Sequence, residues 1–356
     1  MQSSMPIESS WTHDTRLFQG QPVFPPRPML GDSQNIRSNG PTRFAGRTEK
    51  RACDTGANAP RRTVRVYRGR WIIGLIVLGT TAAACTALQP PVPTNLGLFD
   101  SSQNPHDISA LAKKLGVKVT GMSGYTDGTS WMSIGSYMPP VTALRLYLSV
   151  SMSPNNGNPS QTPRHLDVYR QLATTLVEAR HSNAILRIGW EWSTNFFSWG
   201  TQNTTPAHYV TAFDDIVTAM RSVPGQHFLF DWCAAAGSAP SNGTYTASYP
   251  GDTYVDYVGT DVYDHPGTNW ARELTQVGGL SYTAAFARAH RKSMSIPEWG
   301  LDGTDDPRFI DLVHAFVANP ANNVRYTSYF SYPGSIDSDI TQFPKAEAEF
   351  RKDFGG

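Results

Sequence analysis

The chain is poor in cysteine and in charge. Only three of its 356 residues are cysteines, and only Cys233 lies beyond residue 94, so no internal disulfide can form in that part. The sequence contains no Cys-x-x-Cys pair and no cluster of His and Cys that would indicate a metal site. We therefore expect neither a metal nor a cofactor. Charged residues make up 17% of the chain and apolar residues 39%, which is typical of a globular protein of low charge.

The two signs of charge are unevenly distributed. Residues 1–94 carry 12 Lys and Arg against 5 Asp and Glu, a net charge of +7. Residues 95–356 carry 18 against 24, a net charge of −6. An acidic globular part argues against nucleic acid as a partner.

The basic N-terminal part contains an export signal. Residues 1–63 are rich in Pro, Gly, Ser, Asn and Arg, which predicts a disordered extension or an over-extended start. In residues 64–88, arginines precede an apolar run that begins at Trp71 and includes small residues near its end, as in a secretory signal. Residues 89–95, "QPPVPTN", predict a stiff linker.

Several fates of this apolar segment stay open. Cleavage near Ala84 would release the protein, whereas an uncleaved run of 18 residues, 71–88, would attach it to a membrane with the basic side inside. Cys85 resembles a lipoprotein cleavage site, and a buried helix of the globular part is a further alternative. The first three alternatives predict an extracellular or cell-surface location for residues 95–356.

Short β-rich runs alternate with helical stretches through the rest of the chain. The runs are 96–100, 119–124, 144–150, 184–192, 227–235, 255–263, 294–301 and 324–332. Helical periodicity is clear between most of them, but not after the second and fifth runs, where Gly- and Ser-rich loops stand. Eight such units predict a (β/α)8 barrel over residues 96–354. A doubly wound open sheet is the alternative, although no phosphate-binding Gly loop follows the first run.

Active sites of such barrels lie at the C-terminal ends of the strands. Asp100, Glu191, Asp231, Asp261 and Glu298 are the acids near the ends of the predicted strands. Only two of them are glutamates, and each of these two is followed directly by a tryptophan. The sequence thus predicts a pair of carboxyl groups in an aromatic setting on strands four and seven.

Two carboxyl groups facing one cleft are what glycosidic bond cleavage requires. One must be protonated, which a ring-lined setting favours, and the other ionised. Arg187 is expected on the floor of the cleft, and Tyr263 beside Glu298. The alternatives are a structural salt bridge for Glu191 or Glu298, a core ion pair for Arg187 and an ordinary strand-end ring for Tyr263.

Three segments resemble glycoside hydrolase family 26, the β-mannanase family. "LRIGWEWSTNFFSWG" (186–200) is similar to the segment of the acid/base, and "SIPEWGL" (295–301) to the strand of the nucleophile. "YPGDTYVDYVGTDVYDH" (249–265) is similar to the sixth-strand segment, whose tyrosine contacts the nucleophile. The resemblance extends over about residues 95–350. One departure is Trp190, which stands where the family usually has a histidine before the acid/base.

The resemblance implies a retaining mechanism without a metal. Glu298 would be the nucleophile, Glu191 the acid/base, and Tyr263 would orient Glu298. Arg187 and Trp190 would bind substrate. Five further tryptophans are candidate sugar platforms, each alternatively a core residue: Trp192, Trp199, Trp232, Trp270 and Trp299.

The sequence therefore predicts an exported, monomeric endo-glycosidase. Its partner would be a β-linked polysaccharide, with β-1,4-mannan as the default. Other β-glucans, xylan or a cell-envelope glycan are alternatives within the same chemistry. A catalytically inactive carbohydrate-binding barrel, or a surface scaffold anchored by residues 71–88, are alternatives from other classes.

Overall fold

Eight parallel strands form a closed barrel in the computed structural model, which describes residues 94–355. Each strand pairs with the next along the chain, and β8 closes the barrel on β1. The strands are β1 (Asn95–Asp100), β2 (Gly121–Tyr125), β3 (Arg145–Val150), β4 (Ile185–Ile188), β5 (Leu229–Ala235), β6 (Tyr257–Asp264), β7 (Ser293–Leu301) and β8 (Val324–Ser331). The predicted (β/α)8 barrel is confirmed, and the open sheet is excluded.

Helices follow the strands along the chain. They are α1 (Pro105–Leu115), α2 (Trp131–Gly135), α3 (Leu166–Glu178), α4 (Pro206–Arg221), α5 (Asn242–Ala247), α6 (Trp270–Thr275), α7 (Leu280–Ala289), α8 (Pro307–Ala318) and α9 (Pro344–Phe354). After β2 and β5, where the sequence showed no clear helix, only the short helices α2 and α5 form. The Gly- and Ser-rich loops there supply too few apolar positions for a longer amphipathic face.

Helix α1 illustrates how the sequence sets these elements. The side chain of Asn104 caps its first turn by accepting from the backbone N–H of His106, and Pro105 opens the helix. Gly116 ends it with a φ of 66°, a conformation that glycine adopts without steric cost. Its apolar residues recur at helical spacing and are all buried: Ile108, Leu111, Ala112 and Leu115.

Strand β4 is shorter than predicted. The predicted run extended to Trp192, but the strand ends at Ile188, since Gly189 has a φ of 55° and Glu191 a φ of 49°. A Cβ on Gly189 would lie 2.9 Å from the terminal methyl of Met152. The two left-handed residues turn the chain sharply and place the acid in a loop above the barrel.

Large side chains fill the barrel interior below this level. The ring of Tyr147 covers Gly121, where a Cβ would lie 2.2 Å from the ring. Asp231 is the third residue of β5 and accepts hydrogen bonds from Ser295 Oγ (2.6 Å) and from the Tyr326 hydroxyl. Its prediction as a strand-end acid is therefore wrong, because it pairs in register with Tyr257, the first residue of β6.

The predicted disordered extension (1–63), the signal or anchor (64–88) and all of the linker (89–95) but its last two residues lie outside the described residues. Within residues 94–355, none of the helices combines the length and apolar character needed to cross a bilayer.

Candidate active site

Glu298 lies on β7 with only 4% of its surface exposed, and three groups hold its carboxylate. The Tyr263 hydroxyl donates to Oε1 (2.6 Å). The Tyr125 hydroxyl and Arg187 Nη1 (3.2 Å) both donate to Oε2. Both carboxylate oxygens are thus oriented by donors from β2, β4 and β6, and charge-assisted hydrogen bonds are the stronger kind.

Arg187, on β4, links two acids at the centre of the site. Its guanidinium forms an ion pair with Asp261 on β6 through Nη2 and with Glu298 through Nη1, and all three side chains are almost fully buried. Burial lowers the pKa of Arg187, but the neighbouring groups, led by Asp261 and including Glu298, together outweigh this effect and raise the pKa well above its usual value. A permanent positive charge therefore lies between two buried carboxyl groups.

The pKa of Asp261 is subject to opposing influences. Burial raises its pKa well above the usual value, the Arg187 charge opposes the rise, and the Glu298 and Glu191 charges add to it. The Cys233 thiol also donates to its Oδ1 (3.3 Å). Asp261 thus depends on the guanidinium as its main compensating charge.

Glu191 stands in the loop directly after β4. Its backbone carbonyl accepts from the N–H (3.0 Å) and the hydroxyl (2.9 Å) of Thr194, which fixes the turn. One carboxyl oxygen each of Glu191, Asp261 and Glu298 lie within 4.8 Å of one another. A non-glycine residue with positive φ costs on the order of 1–3 kcal/mol and occurs often at functional sites.

Aromatic rings surround these carboxyl groups. The ring of Tyr125 meets Trp190 edge-on at 5.6 Å and Phe99 at 5.3 Å, and His265 stacks on Tyr263 at 5.8 Å. Burial, followed by the Glu298 charge, raises the pKa of Tyr125 and of Tyr263 well above the usual value. Both phenols therefore stay protonated and serve as hydrogen-bond donors.

Four of the predicted sugar platforms are core residues instead. Trp192, Trp199, Trp232 and Trp299 are all 0% exposed. Trp192 stacks on Trp232 with ring centroids 4.8 Å apart. A ring covered on all sides has no face for a sugar, so the structure contradicts the prediction for these four.

The other two predicted tryptophans differ in exposure. Trp190 is 4% exposed and contacts the Tyr125 ring beside Glu298. Trp270 opens α6 above β6, is partly exposed, and donates from Nε1 to Asp264 Oδ1 (3.2 Å). A role in binding sugar stays a prediction for both.

The sequence analysis missed Tyr125 and gave Asp261 no role. Tyr125 is the last residue of β2, one position beyond the predicted run, and a search for strand-end tyrosines as well as acids would have found it. The role of Asp261 depends on its pairing with Arg187, which lies 74 residues away along the chain. No local pattern in the sequence indicates that pair.

The three neighbouring carboxyl groups could ligate a cation by distance alone. The guanidinium of Arg187, however, already contacts two of them. Its fixed positive charge fills the electrostatic role that a metal ion would have there, and this arrangement suits proton and glycosyl transfer.

The segment of the chain that carries this site matches the model of a known family. The model of glycosyl hydrolase family 26 matches residues 125–299, the segment that begins at Tyr125 and contains Arg187, Glu191 and Glu298. Over these residues the chain is similar to glycoside hydrolase family 26.

Similar proteins include two curated hydrolases. Mannan endo-1,4-β-mannosidase of Bifidobacterium adolescentis is 24% identical over 161 residues, which cover 40% of this chain and 16% of that protein. Endoglucanase H of Acetivibrio thermocellus is 26% identical over 175 residues, 46% of this chain and 18% of that protein. The matched segment thus spans less than a fifth of the length of either relative.

A solved structure supports the barrel fold of this chain. A modular endo-β-1,4-mannanase from Cellulomonas fimi superposes with a TM-score of 0.54 at 18% identity. The superposition covers 72% of this chain and 70% of the other. At this identity the likeness bears on the fold alone.

Proposed function

We propose that this chain is a retaining glycosidase that cleaves β-linked polysaccharides, with Glu298 as nucleophile and Glu191 as acid/base. The observation that carries the proposal is the carboxylate of Glu298, held by three donors with a carboxyl oxygen of Glu191 within 4.8 Å. A buried acid oriented on both oxygens has the fixed geometry that a nucleophile needs.

The separation of the two carboxyl groups favours retention. Retaining glycosidases hold them about 5–5.5 Å apart, whereas in inverting ones the separation is about 6.5–9.5 Å, which leaves room for a water molecule between the general base and the sugar. The nearest oxygens of Glu191 and Glu298 fall in the shorter class. The match to the model of family 26 supports the same reaction class.

The proposed reaction has two steps. Glu298 attacks the anomeric carbon as the glycosidic C–O bond breaks, and Glu191 gives its proton to the leaving oxygen. Glu191 then removes a proton from water, which attacks the anomeric carbon and releases Glu298. The hydroxyls of Tyr125 and Tyr263 and the charge of Arg187 keep the nucleophile aligned through both steps.

β-1,4-Mannan is the proposed substrate, with a β-glucan as the second candidate. The curated relatives carry the names of a mannosidase and an endoglucanase, so both polymers are supported. Trp190, in place of the usual histidine, offers one N–H donor where an imidazole has two ring nitrogens. The arginine-flanked apolar run of residues 64–88 supports export to the cell exterior.

The test is reducing-sugar release by the full chain from mannan, β-glucan, xylan and cell-envelope glycans. Glu298→Ala should abolish release from the polymer that the wild type cleaves, and Glu347→Gln, on the surface of α9, should retain it. ¹H NMR of the first product should show the β-anomer before mutarotation. Added azide should yield a β-glycosyl azide with Glu191→Ala and an α-glycosyl azide with Glu298→Ala.

An α-anomer as the first product, or full activity in Glu298→Ala, would contradict the mechanism. Binding of one polymer without release of sugar would instead favour an inactive carbohydrate-binding barrel.

A further inference from the structure

A second group of acids lies away from the active site, between the outer helices α8 and α9. Asp311 is on α8, and Glu349 and Asp353 are on α9. One carboxyl oxygen of each lies within 4.8 Å of the other two. We call these three residues the α8–α9 acid cluster.

The positions of these acids are unfavourable by themselves. Glu349 and Asp353 are four residues apart on one helix, a spacing at which like charges repel. Asp353 also lies in the last turn of α9, where the helix dipole disfavours negative charge. Asp311 on the facing helix adds a third negative charge. An attraction from outside the three carboxyl groups is needed to offset this repulsion.

The neighbouring side chains do not provide a hydrogen-bond donor for every carboxyl oxygen of the cluster, as Asp353 shows. Its side chain is 6% exposed, and its Oδ2 is buried without accepting a hydrogen bond. The nearest basic nitrogen to Oδ2 is Nδ1 of His314, 3.9 Å away, which is too long for a hydrogen bond. A buried acceptor without a partner is costly, so a cation that contacts this oxygen would be stabilising.

Lys352 compensates only part of the charge. Its ammonium lies 2.5 Å from Glu349 Oε1 and 3.6 Å from Asp353 Oδ1, but its side chain is 67% exposed. Three acids and one lysine leave a net charge of −2. A flexible lysine on the surface can turn toward solvent when a cation of higher charge arrives.

We propose that the α8–α9 acid cluster binds a divalent cation of the calcium type. Carboxylate oxygens are the ligands that Ca²⁺ prefers, at about 2.3–2.6 Å, so opposite ligands lie about 4.6–5.2 Å apart. Three oxygens within 4.8 Å of one another can reach this geometry with side-chain movement alone. Asp311 is exposed, which leaves room for water ligands, and a cavity of about 300 Å³ lined by His314 and Asp353 adjoins the cluster at Asp353.

The cation would stabilise the layer behind the nucleophile strand. Phe350 and Phe354 of α9 contact the ring of Trp299 at 5.8 and 5.5 Å. Trp299 directly follows Glu298 on β7. Joining α8 to α9 therefore strengthens the support of the active site, while the chemistry itself proceeds without the cation.

The experiment measures the melting temperature and the heat of binding of the full chain after EDTA treatment. Ca²⁺ should raise the melting temperature in a saturable way, and at 100 times Kd it should increase the folding equilibrium constant about 100-fold. Asp353→Asn should lose the calcium-dependent shift. Glu347→Gln, an acid of the same helix paired with Arg351 outside the cluster, should keep it.

Two further variants keep the test decisive if Asp353→Asn fails to fold. Asp311→Asn changes only an exposed position and should weaken Ca²⁺ binding at least tenfold. Lys352→Gln removes the competing ammonium and should tighten it. No calcium-dependent shift or heat at millimolar Ca²⁺ would overturn the proposal, as would a shift that all three variants preserve. A response to Zn²⁺ but not to Ca²⁺ would overturn the calcium assignment.

Discussion

Replacing Arg187 with methionine removes the positive charge that links Asp261 to Glu298. Methionine keeps an unbranched apolar side chain but lacks the guanidinium, so the change takes away the charge and its hydrogen bonds. Both carboxyl groups stay buried, at 1% and 4% exposure, and lose their ion pair. Asp261 then holds only the weak hydrogen bond from the Cys233 thiol.

The expected cost follows from the burial of the pair. Removing one partner of a buried ion pair destabilises a protein by about 3–5 kcal/mol, because the other charge is left uncompensated. For a domain of this size, 1 kcal/mol corresponds to about 2–4 °C, so the melting temperature of Arg187→Met should fall by about 6–20 °C. The pair of Arg351, whose side chain is half-exposed, and Glu347 on α9 provides the control, and Arg351→Met should cost less than about 1 kcal/mol.

Urea unfolding of a double-mutant cycle tests this reasoning. In the Arg187→Met background, Asp261→Asn removes one of the uncompensated charges and should restore part of the lost stability. The coupling energy should be about 0.5–3 kcal/mol. Strictly additive effects, or an Arg187→Met variant that is as stable as Arg351→Met, would refute the view that the guanidinium compensates two buried acids.

Three further predictions concern Tyr125, Gly189 and Asp231. Tyr125→Phe removes a donor to the nucleophile and should lower kcat about 10- to 150-fold, the equivalent of 1.5–3 kcal/mol, in steady-state assays on the cleaved polymer. Gly189→Ala forces a side chain into left-handed backbone and should cost at least about 1–2 kcal/mol in urea unfolding. Burial raises the pKa of Asp231 to about 6, above its value of about 4 in the unfolded chain. The folded protein therefore favours the protonated acid, and the free energy of unfolding decreases as the pH rises from about 4 to 6. Asp231→Asn should therefore gain on the order of 3 kcal/mol relative to wild type over that interval in urea unfolding, and an unchanged difference would contradict the assignment.

The order of the elements was determined by the sequence. Short β-rich runs and helical stretches with period 3.6 are local patterns, and they located all eight strands to within a few residues. Because parallel strands of a barrel end at one rim, the positions of Glu191 and Glu298 at two such ends predicted that they share a cleft. The observed separation of less than 4.8 Å agrees with that inference.

Burial and long-range pairing were decided only by the tertiary structure. Trp192 and Trp190 are two residues apart in one motif, yet one is stacked in the core and the other contacts Tyr125 beside the nucleophile. Which face of a turn points inward depends on the left-handed residues Gly189 and Glu191, which no periodic pattern reveals. The ion pair of Arg187 with Asp261 and the α8–α9 acid cluster likewise join residues tens of positions apart, so they exist only once the chain has closed into a barrel.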